Sequence, residues 1–265
     1  MRRAVRLVKA SIDSSSSTAK QPLKVALSLG CYGATLSPGQ EYAGVYPAPF
    51  GPPYSETSLS SLAQWHYERL LVFADNEETW KAVDVIAFET VPLKVEGLAI
   101  KKAVSMLSQH LRAKGDLHIP DWYISFVFPE GRIPQDVTSA SELARSMVQQ
   151  TEGTEKSALP GIGINCTKIQ YLPELIRQYG EGVSEAKPAE APALILYPDG
   201  GLTYDVVTRT WSSEGTGSPT VWASTLVESV SGPEVAGTWR RVILGGCCKA
   251  SPAHISALRR AIDER

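Results

Sequence analysis

Six short apolar runs rich in β-forming residues recur along the chain. They cover residues 24–29, 83–88, 122–128, 161–165, 193–197 and 241–244. Near-continuous apolar runs are typical of strands that are buried on both faces, as in parallel sheets. The pattern therefore predicts six parallel strands.

Segments with the apolar spacing of helices lie between most of these runs. They cover residues 58–74, 94–111, 141–149, 172–179, 221–230 and 252–262. Thr138 and Ser139 are candidate N-caps for the third helix, and Ser251 followed by Pro252 is a favourable start for the last. Strands that alternate with helices predict right-handed βαβ units and an α/β fold.

The segments between these elements predict surface loops and no domain boundary. Residues 48–55 are rich in Pro and Gly, and residues 150–159 and 212–220 are polar or irregular. Residues 181–192 have low complexity, which predicts a mobile linker. Because none of these segments separates two cores, a single domain is expected over residues 1–265.

The first 20 residues combine Arg and Lys with a run of serines. This pattern predicts the remnant of an amphipathic helix followed by a Ser-rich linker. A mitochondrial presequence is the alternative interpretation. Since no secretory signal is present, a cytoplasmic location with reduced thiols is the main expectation.

Composition narrows the classes of function. The 265 residues have a formal net charge of −2 and are 43% hydrophobic, so a basic nucleic-acid-binding surface is not expected. The sequence contains no run of about 18 consecutive apolar residues, so a membrane span is not expected. Four cysteines are too few for a disulfide scaffold, but Cys247 and Cys248 are adjacent, which favours a metal site or a reactive thiol.

Polar and reactive residues follow the predicted strands directly. They are Cys31, Glu89–Thr90, Cys166–Thr167, Asp199 and Cys247–Cys248. The carboxyl ends of parallel strands meet at one edge of a sheet, where α/β proteins bind their ligands. Three thiolates that meet there would make a Cys₃ zinc site with an open fourth position, which is the mark of a catalytic zinc. The alternative is that each cysteine is a small buried hydrophobic residue.

Two further strand-end residues are candidates for substrate binding. Glu89 follows an apolar run, and a buried carboxylate there needs a cationic partner. That partner is either the ammonium group of a substrate or a Lys or Arg of the protein. Asn165 lies beside the first candidate ligand, and it either faces the metal site or holds the backbone of a turn.

Several motifs in a fixed order resemble the homocysteine S-methyltransferase family. They are SLGCYGA at 28–34, EYAG at 41–44, FETVP at 88–92, ISF at 124–126, GINCT at 163–167, Tyr197-Pro198 with Tyr204-Asp205 and Trp211, and GGCC at 245–248 with Ser251-Pro252. The GINCT and GGCC motifs are highly specific. The resemblance covers residues 24–260.

The resemblance implies a (β/α)₈ barrel of the TIM type with a Zn²⁺ held by Cys166, Cys247 and Cys248. It implies that Glu89 meets the amino group of homocysteine, and that Thr90 and Asn165 line the substrate site. The implied reaction is transfer of a methyl group from S-methylmethionine or S-adenosylmethionine to homocysteine, which gives methionine. Betaine is a less expected donor, because relatives that use it tend to carry an aromatic residue at the position of Thr90.

The sequence departs from the family pattern at its start. The Asp-Gly-Gly strand of the family does not precede Lys24, so we expect an N-terminally truncated barrel with six of the eight βα units. An open barrel exposes two strand edges, through which an oligomer can form. Smaller departures are Cys31, Val45, Asp199-Gly200 and Lys249.

Three functions remain open from the sequence. The first is the zinc-dependent methyltransferase, and the second is an inactive truncated paralogue that keeps the thiol site or acts as an interaction protein. The third is a zinc-free thiol enzyme with Cys166 or Cys248 as its nucleophile. The third needs a histidine base, whereas the four histidines fall in predicted helices or linkers, at positions 66, 110, 118 and 254.

Overall fold

A six-stranded parallel sheet forms the centre of the molecule. The computed structural model describes residues 2–14, 22–115, 119–135, 138–149, 160–201, 203–205, 210–212, 218–232 and 235–265. The strands of the sheet, in spatial order, are β1 (Ala26–Gly30), β2 (Val85–Val91), β3 (Asp121–Phe126), β4 (Gly161–Asn165), β5 (Ala193–Tyr197) and β8 (Arg241–Leu244). All six lie where apolar runs predicted strands. A small antiparallel hairpin of β6 (Thr203–Asp205) and β7 (Thr210–Ser212) follows β5.

Helices cover the outer face of the sheet. They are α1 (Arg2–Ser14), α2 (Glu56–Ala74), α3 (Glu77–Lys81), α4 (Lys94–Ala113), α5 (Ala140–Val148), α6 (Leu172–Ala186), α7 (Pro219–Glu228) and α8 (Pro252–Asp263). The six helices predicted between and after the strands are confirmed. Ser139 caps α5, since its hydroxyl oxygen accepts a hydrogen bond from the backbone N–H of Glu142 at 3.1 Å. None of the helices in the described ranges is long and apolar enough to cross a membrane.

The prediction of a linker over residues 181–192 is wrong for its first half, because α6 continues to Ala186. Tyr179 and Val183 are both buried, so the apolar stripe of the helix runs on through this low-complexity sequence. The helix ends at Lys187, which has a left-handed conformation. The predicted loop at 150–159, the serines at 15–17 and most of the segment 212–220 lie outside the described residues.

The sheet is strongly curled, as an ion pair across its inner face shows. Asp121 begins β3 and Arg241 begins β8, three strand positions further along the sheet. Those positions are roughly 14 Å apart in a flat sheet, since neighbouring strands are about 4.8 Å apart. The Arg241 Nη2 atom nevertheless lies 3.5 Å from Asp121 Oδ2. The arrangement is that of an incomplete barrel, as expected from the sequence.

The two outer strands of this sheet leave its inner face open. Side chains of β1 alternate, so that Leu27 and Leu29 are buried under the helices while Ser28 faces inward and is exposed. Ile243 on β8 is 43% exposed. Within the described ranges, β1 pairs only with β2 and β8 only with β5.

A buried carboxylate fixes the long loop that follows β1. Glu96 on α4 is fully buried, and it accepts hydrogen bonds from the Tyr46 hydroxyl at 2.5 Å and the Tyr32 backbone N–H at 2.6 Å. His66 Nε2 on α2 lies 3.0 Å from the same carboxylate. Three donors on one carboxylate tie the loop to two helices, which sets the path of residues 31–46.

His66 is expected to make the fold sensitive to acid. Burial lowers the pKa of His66 below its usual value, and this effect outweighs the bond to Glu96. The Nδ1 atom has no hydrogen-bond partner among the described residues, so a second proton would be left unpaired there. Below the unfolded-state pKa of about 6.5, the unfolded chain binds a proton that the folded chain refuses, and stability falls by up to about 1.4 kcal/mol per pH unit.

Urea unfolding between pH 7.5 and pH 5.5 tests this expectation. The His66→Gln variant keeps a donor near the position of Nε2 but does not titrate, so its free energy of unfolding should depend less steeply on pH. The partly exposed His110 offers a control, and His110→Gln should keep the wild-type slope. Equal slopes in wild type and His66→Gln would show that His66 is not the group responsible.

Candidate metal and substrate site

The structure brings the three candidate metal ligands together at the carboxyl end of the sheet. Cys166 follows β4, and Cys247 and Cys248 follow β8. The Cys248 sulfur lies 3.7 Å from that of Cys166 and 4.0 Å from that of Cys247. The Cys166 and Cys247 sulfurs are in disulfide contact, with Cα atoms 5.6 Å apart. All three sulfurs fall within 4.8 Å of one another.

Backbone hydrogen bonds to the end of β5 and the segment after it hold these cysteines in place. β5 lies between β4 and β8, and the Cys166 N–H donates to the Tyr197 carbonyl at 3.3 Å. On the other side, the Cys247 N–H donates to the Pro198 carbonyl at 2.8 Å, and the Gly200 N–H donates to the Cys248 carbonyl at 2.7 Å. One short segment therefore fixes both halves of the cysteine trio.

The trio fits a metal–thiolate centre. Two sulfurs bound at ~2.3 Å to one tetrahedral ion lie about 3.8 Å apart, close to the two longer separations seen here. Thiolates are soft ligands that select metals such as zinc. The same contact between Cys166 and Cys247 allows a disulfide, so a metal can occupy the site only when all three sulfurs are reduced.

Left-handed backbone conformations concentrate at this edge of the sheet. Cys166 has a φ of 48°, Lys249 of 64° and Thr90 of 57°. For a β-branched residue such as Thr90 this conformation costs on the order of 1–3 kcal/mol and persists only where its surroundings impose it.

Asn165 is the residue that holds Thr90. Its side-chain oxygen accepts from the Thr90 N–H at 2.9 Å, and its Nδ2 donates to the Thr90 hydroxyl at 2.8 Å. The same Nδ2 lies 4.0 Å from the Cys247 sulfur, and Asn165 is only 1% exposed. Asn165 thus joins the ends of β2 and β4 and faces the cysteine trio, so both sequence-based interpretations of this residue describe part of its contacts.

Glu89 lies at the end of β2, half-buried on the inner face of the sheet. It accepts a hydrogen bond from the Ser28 hydroxyl on β1. Within the described part of the chain, it forms no salt bridge to a Lys or Arg, so the alternative of an internal cation finds no support there.

Two half-buried tyrosines accompany Glu89 on the inner face. Burial, together with the charge of Glu89, raises the pKa of Tyr123 to about 12. Burial also raises the pKa of Tyr197, and the neighbouring Tyr123 and Glu89 add to this effect. Both hydroxyls therefore stay protonated at neutral pH. They can donate or accept hydrogen bonds, but they carry no negative charge.

Tyr42 is a site residue that the reasoning from strand ends did not identify. It lies on the loop after β1, and its hydroxyl is 4.0 Å from the Cys248 sulfur. Burial and the nearby Cys248 raise the pKa of Tyr42 above its usual value. The only sequence signal was its place in the EYAG motif, because a loop residue has no periodicity that predicts its position.

Two other strand-end candidates do not join the trio. Cys31 is a separate buried thiol, and burial raises its pKa to about 12, so it stays protonated. Asp199 pairs with Lys168, whose Nζ lies 3.4 Å from Asp199 Oδ2. Both residues are part of the framework around the site.

The histidines of the described chain do not contact the cysteine trio. His66 binds Glu96, His110 lies against Asp75, and His254 bonds to Ser251. His118 lies outside the described residues. The structure thus provides no histidine base beside Cys166 or Cys248 in its described part, which leaves the zinc-free thiol enzyme without support.

Gly200 is expected to be required for the position of the cysteine pair. A Cβ atom there would lie 2.5 Å from the backbone carbonyl atoms of Lys249, so Gly200→Ala must displace the loop that carries Cys247 and Cys248. We expect a loss of about 1–3 kcal/mol in unfolding free energy, typical of overpacking, and at least tenfold weaker metal binding.

Gly245→Ala is the matched control, since its Cβ would meet Tyr197 at an ordinary 3.5 Å. Thermal unfolding and metal titration of both variants in reducing buffer test the expectation. If Gly200→Ala binds metal as tightly as Gly245→Ala, the close backbone approach does not matter for the site.

Comparison with known proteins identifies the family of this chain. The sequence profile of the S-methyl_trans family, described as homocysteine S-methyltransferase, matches residues 1–262. Homocysteine S-methyltransferase 2 of Arabidopsis thaliana is 30% identical over 246 residues, which are 93% of this chain and 62% of that protein. Selenocysteine Se-methyltransferase of Brassica oleracea var. italica is also 30% identical, over 93% of this chain and 59% of its own length.

Solved structures show the same fold. The metallated form of the homocysteine methyltransferase MmuM from Escherichia coli superposes with a TM-score of 0.55 at 21% identity, over 98% of this chain and 66% of that chain. The apo form gives a TM-score of 0.54 at 18% identity, over 98% of this chain and 74% of its own. This chain thus spans about two thirds or less of most of these proteins, and it belongs to the homocysteine S-methyltransferase family.

Proposed function

We propose that this chain binds zinc through Cys166, Cys247 and Cys248 and transfers a methyl group from a sulfonium donor to homocysteine, forming methionine. The observation that carries the proposal is the meeting of three sulfurs within 4.8 Å at the carboxyl end of the sheet, in a chain of this family. Cys166, Cys247 and Cys248 would hold a zinc ion through three thiolates and would leave a fourth position for a substrate, as in catalytic zinc sites.

Glu89 supplies the second contact to homocysteine in this proposal. Its half-buried carboxylate has no cationic partner among the described residues and faces the same inner surface as the cysteine trio. The ammonium group of an amino acid complements it. Asn165 and Thr90 lie between Glu89 and Cys247, so these two residues line the path from the amino group to the thiol.

The reaction needs a thiolate as its nucleophile, and no proton is removed from a carbon atom. A zinc ion held by the three cysteines would lower the pKa of a coordinated thiol and so supply the homocysteine sulfur as a thiolate at neutral pH. A new S–CH₃ bond forms as the bond from the methyl group to the positively charged donor sulfur breaks. The electron pair of the broken bond stays on the donor, which leaves as a neutral thioether. S-methylmethionine and S-adenosylmethionine both fit this chemistry.

A second candidate function is binding without turnover, and the open sheet favours it. The inner face exposes Ser28 on β1 and Ile243 on β8, next to strand edges that pair with nothing else in the described ranges. Such edges can hold a second polypeptide. A chain of this kind would keep the thiol site and show no methyl transfer.

The zinc content of the purified chain tests the first proposal. We expect about one zinc per chain in reducing buffer, and at least a tenfold loss of zinc affinity in Cys166→Ser, Cys247→Ser and Cys248→Ser. Cys31→Ala is the matched control, because Cys31 is buried apart from the trio and should retain full zinc. Wild-type protein without zinc, whose three thiols react freely with an alkylating reagent, would contradict the proposal.

Methionine formation with Glu89→Gln tests the role of the carboxylate. The variant keeps the shape of the side chain but loses its charge, so the KM for homocysteine should rise roughly tenfold, the cost of losing a charge-assisted hydrogen bond. Zinc content should not change. Ser28→Ala serves as a control for the hydrogen bond to Glu89 and should have a smaller effect. An equal fall in zinc content and activity in Glu89→Gln would instead mark a structural role.

A further inference from the structure

A cavity of about 610 Å³ lies beside the cysteine trio, between two loops at the carboxyl edge of the sheet. One wall is the loop after β1, with Tyr42 and Ala43. The other is the loop after β3, with residues 129–130 and 132–135. These loops come from the strands on either side of β2, which is the strand that carries Glu89 and Thr90.

Tyr42 connects this cavity to the thiols. It lines the cavity, and its hydroxyl lies 4.0 Å from the Cys248 sulfur. A molecule in the cavity that touches the Tyr42 ring is therefore one side chain away from the sulfurs. The cavity is placed for a second substrate that must present a carbon atom to a thiol substrate bound at the trio.

The charged residues of the cavity form a weak, exposed ion pair. Arg132 Nη2 lies 3.0 Å from Glu130 Oε2, and the two side chains are 79% and 73% exposed. Water screens an ion pair this exposed, so the pair contributes little to stability and a ligand with both charges displaces it at little cost. An α-amino acid has such charges, since its carboxylate complements Arg132 and its ammonium group complements Glu130.

The remaining walls complement a positively charged sulfur with small alkyl groups. Pro129, Ile133 and Pro134 give an apolar surface, and the Tyr42 ring offers a face to a cation. Tyr42 is the one aromatic residue among the described residues that line the cavity. The lining therefore complements the amino-acid part and the sulfonium of a donor.

We propose that this cavity is the subsite of the methyl donor, and that it recognises an α-amino-acid sulfonium through Arg132, Glu130 and Tyr42. The inference rests on the proposed methyl transfer to homocysteine. The donor lies on the Tyr42 side of the trio, and its methyl carbon passes to the homocysteine sulfur. The donor keeps the electron pair of the broken bond and leaves as a neutral thioether, and the thiol proton of homocysteine goes to solvent.

Calorimetric titration of the purified full chain with S-methylmethionine tests the subsite directly. Arg132→Gln and Glu130→Gln should each raise the Kd for S-methylmethionine at least tenfold. The zinc content and the Kd for homocysteine should stay within twofold of wild type. Arg177→Gln, which removes another exposed arginine, one that is paired with Glu174 and Glu181 on α6, is the matched control and should bind the donor like wild type.

A parallel titration with S-adenosylmethionine separates the two sources of the sulfonium group. If Arg132→Gln raises the Kd of both donors by the same factor, the cavity recognises the methionyl sulfonium that they share. If only S-methylmethionine binds, the cavity accepts the smaller donor alone. Both results support the subsite.

The proposal is overturned if the wild-type chain binds neither sulfonium, or if Arg132→Gln and Glu130→Gln bind the donor as tightly as wild type. It is also overturned if both variants lose homocysteine and donor affinity equally, which marks a general disturbance. Failure of the proposed function looks different. In that case S-methylmethionine still binds in an Arg132-dependent way, but no methionine forms from homocysteine.

Discussion

The site depends on one backbone segment, residues 197–200, which lies between the two halves of the cysteine trio. Its carbonyl groups accept hydrogen bonds from Cys166 on one side and Cys247 on the other, and Gly200 donates to the Cys248 carbonyl. These bonds join main-chain atoms only. The one requirement on a side chain is that residue 200 has none, as in glycine. The three sulfurs therefore meet because parallel strands end at a common edge and the loops there are joined by main-chain bonds, which are strong wherever water is excluded.

The sequence predicted the sheet, and the place of the cysteines at its carboxyl edge, for the same physical reason, whereas the choice of these three cysteines as one ligand set came from the family resemblance. Strands buried on both faces produce apolar runs, and the residue after each run must lie at the reactive edge. Tyr42 could not be found this way, because its position depends on how Glu96 binds Tyr32 and Tyr46. Those contacts join residues about 50 to 64 positions apart, a relation that no local pattern records. The extension of α6 to Ala186 was missed for a different reason. The low-complexity composition of residues 181–192 favoured a linker, although buried residues continue along one face of the helix.

Strain and polar burial concentrate where the chemistry is proposed. Thr90 and Cys166 both have left-handed backbone conformations. The buried side chain of Asn165, at the end of β4, forms hydrogen bonds with Thr90, at the end of β2. A fold selected for stability alone has little reason to place a β-branched residue in this conformation. The cost is understandable if the exact direction of Thr90, and of Glu89 before it, matters for a bound molecule.

The open barrel does not affect all parts of the site equally. Cys166, Cys247 and Cys248 are fixed by β4, β5 and β8 and by the bonds among their loops, all of which are present. Glu89 differs, because its contact on β1 is Ser28, an exposed residue at the outer strand of the sheet. Water near a carboxylate weakens its attraction for a cation, since the effective dielectric constant rises toward that of bulk solvent. The openness therefore acts on Glu89 more than on the cysteine trio, so the proposed zinc binding and the proposed recognition of a substrate amino group are separable in this chain.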